Sequence, residues 1–156
     1  MTIGKLSTAL AALMLSAAGA SAANVDFVGT MCLTSVTPGC VAAGWNVGNC
    51  AVLRVRPSDL GTNGPATKVS LFWQSFALNY QLDSGDLVGT TYQIVRSTHL
   101  GQSAYTFNAR MRVTRMTPAT LSETTQFATF VGNIKNFDDP SLGCDVGFKA
   151  TAQRKP

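Results

Sequence analysis

Apolar and polar residues alternate repeatedly along this chain, the period of a β-strand buried on one face. The clearest run is Ala104 to Met116, AYTFNARMRVTRM. Tyr105, Phe107, Ala109, Met111 and Val113 fall on one face, and Thr106, Asn108, Arg110, Arg112 and Thr114 on the other. A helix of the same residues would scatter its apolar groups around the whole circumference. Near the C-terminus, Cys144, Val146, Phe148, Ala150 and Ala152 alternate with Asp145, Gly147, Lys149, Thr151 and Gln153. Ala51, Leu53 and Val55 oppose Val52, Arg54 and Arg56 until Pro57 ends the run. Asp26–Thr37, Gly89–Thr98 and Thr124–Ile134 complete the set of strands. The segment TKVSLFWQSFALNYQL changes phase midway: Val69, Leu71 and Trp73 share one parity, and Phe76, Leu78, Tyr80 and Leu82 the other. A phase change at Gln74–Ser75 predicts a β-bulge or sharp bend, which lets one long strand serve two sheets.

The connections carry turn residues: TPG at 37–39, GTNGP at 61–65, DSGD at 83–86, HLGQ at 99–102 and DDPSLG at 138–143. The only helix-like stretch after the first residues is PATLSE at 118–123, a single turn at most. About seven short strands with regular punctuation predict an all-β chain. The expected architecture is a single-domain antiparallel β-sandwich of immunoglobulin-like or jelly-roll-like type, with a closed barrel as second choice.

The first residues break this pattern. MTIGKLSTALAALMLSAAGASAA carries one cation, Lys5, then an uncharged apolar run, then the small-x-small site Ala20-Ser21-Ala22. This predicts a secretory signal peptide over 1–23, cleaved after Ala22 or Ala23, and a single all-β domain over 24–156. The apolar run is shorter than the roughly 20 residues a spanning helix needs. Removing the leader takes Lys5 with it and leaves eleven Lys and Arg against eight Asp and Glu, about +3. That mild excess contains no block of like charges of the kind nucleic-acid-binding arms carry, so nucleic acid is not an expected partner.

The chain has four cysteines, Cys32, Cys40, Cys50 and Cys144. Structural zinc sites use two thiolates a short turn apart, and redox centres use C-x-x-C. Neither spacing occurs, and His99 is the only histidine. An even number of cysteines behind a leader predicts disulfides and a periplasmic or secreted location. Four cysteines allow three pairings. The preferred one joins Cys32 to Cys50 across the first two strands and Cys40 to Cys144, tying the intervening loop to the last strand.

Candidate chemistry is sparse. His99 stands beside a turn without a nucleophile elbow, since GQSAY lacks the second glycine of G-x-S-x-G. The acidic residues are Asp26, Asp59, Asp83, Asp86, Glu123, Asp138, Asp139 and Asp145, most of them in turn sequences. The DSGD and FDDPSLGCD loops could offer oxygens to calcium but lack EF-hand spacing. No cofactor motif is present. Arg54 with Arg56, and Arg110 with Arg112, place guanidinium pairs on the polar faces of two strands. If those strands were neighbours, the four would form a basic stripe able to grip carboxylates, phosphates or acidic glycans. Trp45 lies in the glycine-rich loop AAGWNVGN, framed by cysteines. There it would serve either as a rigid binding platform or as a cap on one end of the fold.

The stretch VDFVGTMC is similar to the first strand of pilus subunits assembled with a periplasmic chaperone, an apolar strand with Gly and then Cys. That resemblance implies a subunit completed by a donated strand. Two features depart from it: only Asn24–Asp26 would precede Phe27 as a donor extension, and ATAQRKP lacks an apolar, aromatic-ended last strand. The leading expectation is therefore an exported, non-enzymatic binding or structural module, with an acidic glycan or another envelope protein as partner. A small secreted hydrolase and a pilus-type subunit are the alternatives.

Overall fold

The computed structural model describes residues 24–73, 76–82, 89–90, 93–99, 105–137 and 143–155. The leader, the DSGD loop and the 138–142 turn lie outside them. The elements are β1 (Phe27–Val36), α1 (Pro38–Ala42), β2 (Cys50–Arg56), β3 (Thr67–Phe72), β4 (Phe76–Leu82), β5 (Gly89–Thr90), β6 (Gln93–His99), β7 (Tyr105–Thr117), β8 (Phe127–Lys135) and β9 (Val146–Arg154). The described residues are thus all-β apart from one short helix. That helix sits at TPGC, where a turn was expected, and starts on Pro38, whose fixed φ suits a first helical position. PATLSE forms no helix.

All strands belong to one antiparallel sheet. From β1 to β4 neighbours in the chain are neighbours in the sheet, β1 pairing with β2, β2 with β3 and β3 with β4, while β4 pairs with β6 and skips β5. The first part of β7 pairs with β6 and its later part with β8. The two residues of β5 add to β7 at Val113 and Arg112. β8 pairs with β9, and β9 lies against β1 from Phe27 to Val36. A sandwich of immunoglobulin or jelly-roll type needs long connections that carry strands between two packed layers. Here the described strands follow one another as a meander in a single curled sheet, so the sandwich expectation is replaced. A closed barrel is not found either: the sheet is curled as a half-barrel, with its apolar face turned onto its own side chains.

That inner face carries Phe27, Met31 and Leu33 from β1, Leu53 and Val55 from β2, Val69 and Leu71 from β3, and Leu78 and Tyr80 from β4, all buried. Ala109, Met111, Val113, Phe130, Ile134, Val146 and Phe148 from β7, β8 and β9 are buried as well. The alternation read from the sequence puts these residues inward correctly. A void of about 20 Å³ remains, bounded only by apolar side chains including Met31, Val69, Met111 and Phe148. It has room for one water but offers no hydrogen-bonding partner to hold it.

The phase change at Gln74–Ser75 has a different cause from the one expected. β3 and β4 are two strands of a hairpin, pairing from Thr67 with Leu82 to Phe72 with Ala77. Cross-strand partners share a face, and in this register every odd-numbered residue meets an even-numbered one. Parity must therefore switch on passing the turn, without any bulge.

Candidate functional site

Both preferred disulfides are present, Cys32–Cys50 and Cys40–Cys144. The first joins directly opposite residues of β1 and β2 on the outer face. The second ties α1 to the strand end before β9, with both cysteines fully buried. Around it Thr37 is fastened twice to Asp145: its amide donates to the Asp145 carbonyl at 3.0 Å, and its Oγ1 accepts from the Asp145 amide at 3.0 Å. The glycine-rich loop is held back onto β1 by hydrogen bonds from Gly48 N to Leu33 O and from Leu33 N to Asn49 O, both 2.9 Å.

This loop does not present Trp45 to solvent. Trp45 is only 9% exposed and packs edge-on against Trp73 and Phe137, with ring centroids 5.2 and 5.0 Å away. Trp73 and Phe137 also meet each other edge-to-face at 5.7 Å. Three mutually edge-on rings match the electrostatic preference of aromatic pairs. They plug the end of the sheet where α1 lies. The loop is pinned as its cysteines predict, and Trp45 turns inward as a cap, with little of its indole facing solvent.

The arginine pairs also part company. β2 and β7 are not neighbours, so Arg54, Arg56, Arg110 and Arg112 form no common stripe. Arg54 and Arg56 turn instead to Asp26, which is 6% exposed just before β1. Arg56 Nε donates to Asp26 Oδ1 at 3.0 Å, and an Arg54 guanidinium nitrogen bonds Asp26 Oδ2. Burial alone would raise the Asp26 pKa, but the hydrogen bonds from Arg56 and Arg54, with their charges, hold it below its ordinary 3.8. The folded state then binds this proton less readily than the unfolded chain. The contribution to stability is complete above 3.8 and disappears as pH falls through the lowered folded value.

Both arginines stay partly hydrated, so we expect Asp26→Asn to lose only about 1–2 kcal/mol at pH 7. Urea denaturation of the two proteins should show that gap narrowing as the pH is taken below 3.8. A gap that stays constant down to the lowest pH at which both fold would remove the carboxylate charge from the account.

The outer face of β7, β8 and β9 is different. Their sequences, YTFNARMRVTRMT, FATFVGNIK and VGFKATAQR, contain no Asp or Glu. Arg110, Arg112, Arg115, Lys135 and Lys149 stand exposed on it. The register sets them in ranks across the strands. Arg110 is opposite Lys135 and Arg112 opposite Asn133, while Arg115 is opposite Val131, which in turn faces Lys149. Two residues along from the Arg115–Lys149 rank lies a rank of threonines: Thr117 opposite Thr129, Thr129 opposite Thr151, and Thr151 opposite Thr30. Beside Thr129 on β8, Phe127 is 66% exposed, the most exposed large apolar residue among those described.

Of this surface, only Arg110 and Arg112 were legible as candidates. Strict alternation puts Arg115 on the inner face with Val113. The ladder slips between Val113 and Arg115, leaving Thr114 as the extra residue of a bulge and turning Arg115 outward. The signal was available: a charge on the apolar parity at Arg115 followed by Met116 on the polar one. Lys149 and the threonines carry no motif, and only strand pairing brings them together.

The side chain of His99 and the DSGD loop lie outside the described residues. The FDDPSLGCD loop is described only at its ends. Among the described residues no three His, Cys, Asp or Glu side chains gather as a metal-binding group. No helix among them is long and apolar enough to cross a membrane. β1 is flanked on both sides, by β2 and by β9. Set against known protein families, curated proteins and solved structures, the chain finds no significant match.

Proposed function

We propose that this protein is an exported, non-enzymatic binding module that works through the outer surface of its sheet and takes an anionic partner. The observation that carries the reading is the contrast between the two faces. Among the described residues the inner face is lined by apolar side chains, and the void of about 20 Å³ between them offers a ligand no polar contact. The outer face of β7–β9 collects five exposed cations in strands without an acidic residue. Such a patch attracts anions at range and holds them by charge-assisted hydrogen bonds. The two disulfides are compatible with an oxidising, extracytoplasmic space. The alternating leader-then-strands pattern of the sequence supports export, and the periplasm or the exterior is the proposed location.

The test is retention of the purified protein on an immobilised anionic polymer, dextran sulfate, at low salt. We expect retention that sodium chloride reverses, because exposed charges are screened within about 10 Å at 0.1 M salt. Arg112→Ser with Arg115→Ser should elute markedly earlier. Passage of the unaltered protein through the column without delay would overturn the reading.

A further inference from the structure

Resting on that reading, we infer that the outer face of β7–β9 is a subsite for a linear acidic polysaccharide. Its sugar ring stacks on Phe127, its hydroxyls meet Thr129 and Thr151, and its carboxylate or sulfate groups are taken by Arg115 and Lys149. Three successive ranks supply the three kinds of contact such a polymer offers. The first holds Phe127 opposite Gln153, the second Thr117, Thr129 and Thr151, and the third Arg115, Val131 and Lys149. Along each strand successive outward residues are two apart, roughly 7 Å, and neighbouring strands are about 4.8 Å apart. The whole arrangement therefore fits within the footprint of a few sugar units.

Each side chain has a chemical reason to be there for a glycan. An aromatic side chain that is 66% exposed on a polar sheet face offers most of its apolar surface to a ligand. Pyranose rings carry C–H faces that such a plane can cover, whereas inorganic anions and acidic peptides offer it nothing comparable. Threonine hydroxyls both donate and accept, as sugar hydroxyls do. Thr117 and Thr151 are exposed and Thr129 is half-buried. Arg115 and Lys149 stand on either side of Val131 and can reach anionic groups on successive units. A bilayer is the poorer fit, since the patch lies on the convex side of a curled sheet and a plane would touch only a narrow strip of it. A flexible chain can follow that curvature.

The experiment uses the purified protein and two soluble probes, polygalacturonate and polyglutamate, with affinities measured by calorimetry at low salt. Both carry carboxylates, and only the first has sugar rings. Phe127→Ala, an exposed position whose loss leaves the core intact, should weaken polygalacturonate binding by about tenfold and polyglutamate binding by less than about twofold. Thr151→Val should act in the same direction, more weakly. Arg115→Ser with Lys149→Ser should weaken both probes by at least about tenfold. Lys68→Glu, which removes the same two units of charge at an exposed site on β3, should change neither by more than about twofold.

If Phe127→Ala changes the two probes equally, or polyglutamate binds as well as polygalacturonate, the glycan assignment is overturned and the anionic reading stands. If Lys68→Glu weakens binding as much as Arg115→Ser with Lys149→Ser, the face itself is overturned as a site and only net charge is at work. Tighter association with phosphatidylglycerol vesicles than with polygalacturonate would overturn it in favour of a lipid surface.

Discussion

Replacing Cys40 and Cys144 together by alanine should lower the unfolding free energy by about 4–5 kcal/mol, and replacing Cys32 and Cys50 together by about 3. The difference comes from the unfolded chain. Cys40 and Cys144 are 104 residues apart in sequence and Cys32 and Cys50 only 18, and closing the longer loop removes more conformational freedom from the unfolded state. The native state adds to it. Cys40 and Cys144 are fully buried beside the Trp45–Trp73–Phe137 cluster, and their bond fastens α1 over that end of the sheet. Cys32 and Cys50 only reinforce a pairing that the β1–β2 ladder already makes. Urea denaturation followed by tryptophan emission and by far-ultraviolet circular dichroism checks the order. The Cys40/Cys144 variant should also show emission shifted to longer wavelength in the folded baseline, as water reaches the indoles. Equal losses from the two variants would show that neither loop length nor the aromatic plug governs the effect.

Gly29→Ala should destabilise the protein by about 3 kcal/mol, a large effect for adding one methyl group. Gly29 lies on the inner parity of β1, paired with Leu53 on one side and Ala152 on the other. A Cβ there would fall 1.9 Å from the Thr151 carbonyl oxygen and 2.6 Å from the Ala152 Cα. Both are backbone atoms of β9, so no side chain can rotate out of the way. The methyl group can be accommodated only by separating β1 from β9 along a ladder that spans most of both strands. Thermal denaturation should show the drop, and an unchanged midpoint would mean that β1 and β9 do not approach as closely as this. Substituting Gly64 provides a contrast in kind: its surroundings are open, and only its φ of +77° disfavours another residue.

Much of the fold follows from the order of residues alone. Alternation at Ala109–Val113, Ala51–Val55 and Val146–Ala152 assigns inner and outer faces because successive Cβ atoms of a strand point to opposite sides. Cysteine spacing excludes the thiolate pairs of zinc and redox sites, and a preference for Cys32–Cys50 and Cys40–Cys144 agrees with the bonds found. These are local properties, decided by neighbours in the chain. What the sequence left ambiguous were the places where the phase of alternation changes. At Gln74–Ser75 the same signal that reads as a bulge comes from a hairpin, while the true bulge at Thr114 hides Arg115 in the wrong parity.

The candidate site was legible only in fragments. Arg110 and Arg112 belong to it, but Arg54 and Arg56 belong to Asp26, because directly opposite residues of paired strands are neighbours and the sequence does not say which strands pair. Trp45 was rightly placed in a pinned loop, yet whether an indole faces water or two other rings depends on Trp73 and Phe137, residues remote in the chain. The sequence by itself determined the strands, their buried faces and the choice of staples over metal or redox chemistry, since these rest on side-chain periodicity and spacing. The tertiary structure alone decided that the strands share one curled sheet, that Trp45 is a plug, and that Phe127, the threonines, Arg115 and Lys149 stand together. Register between strands is what sets side chains from distant segments beside one another, and register is fixed by packing of the whole inner face rather than by any one segment.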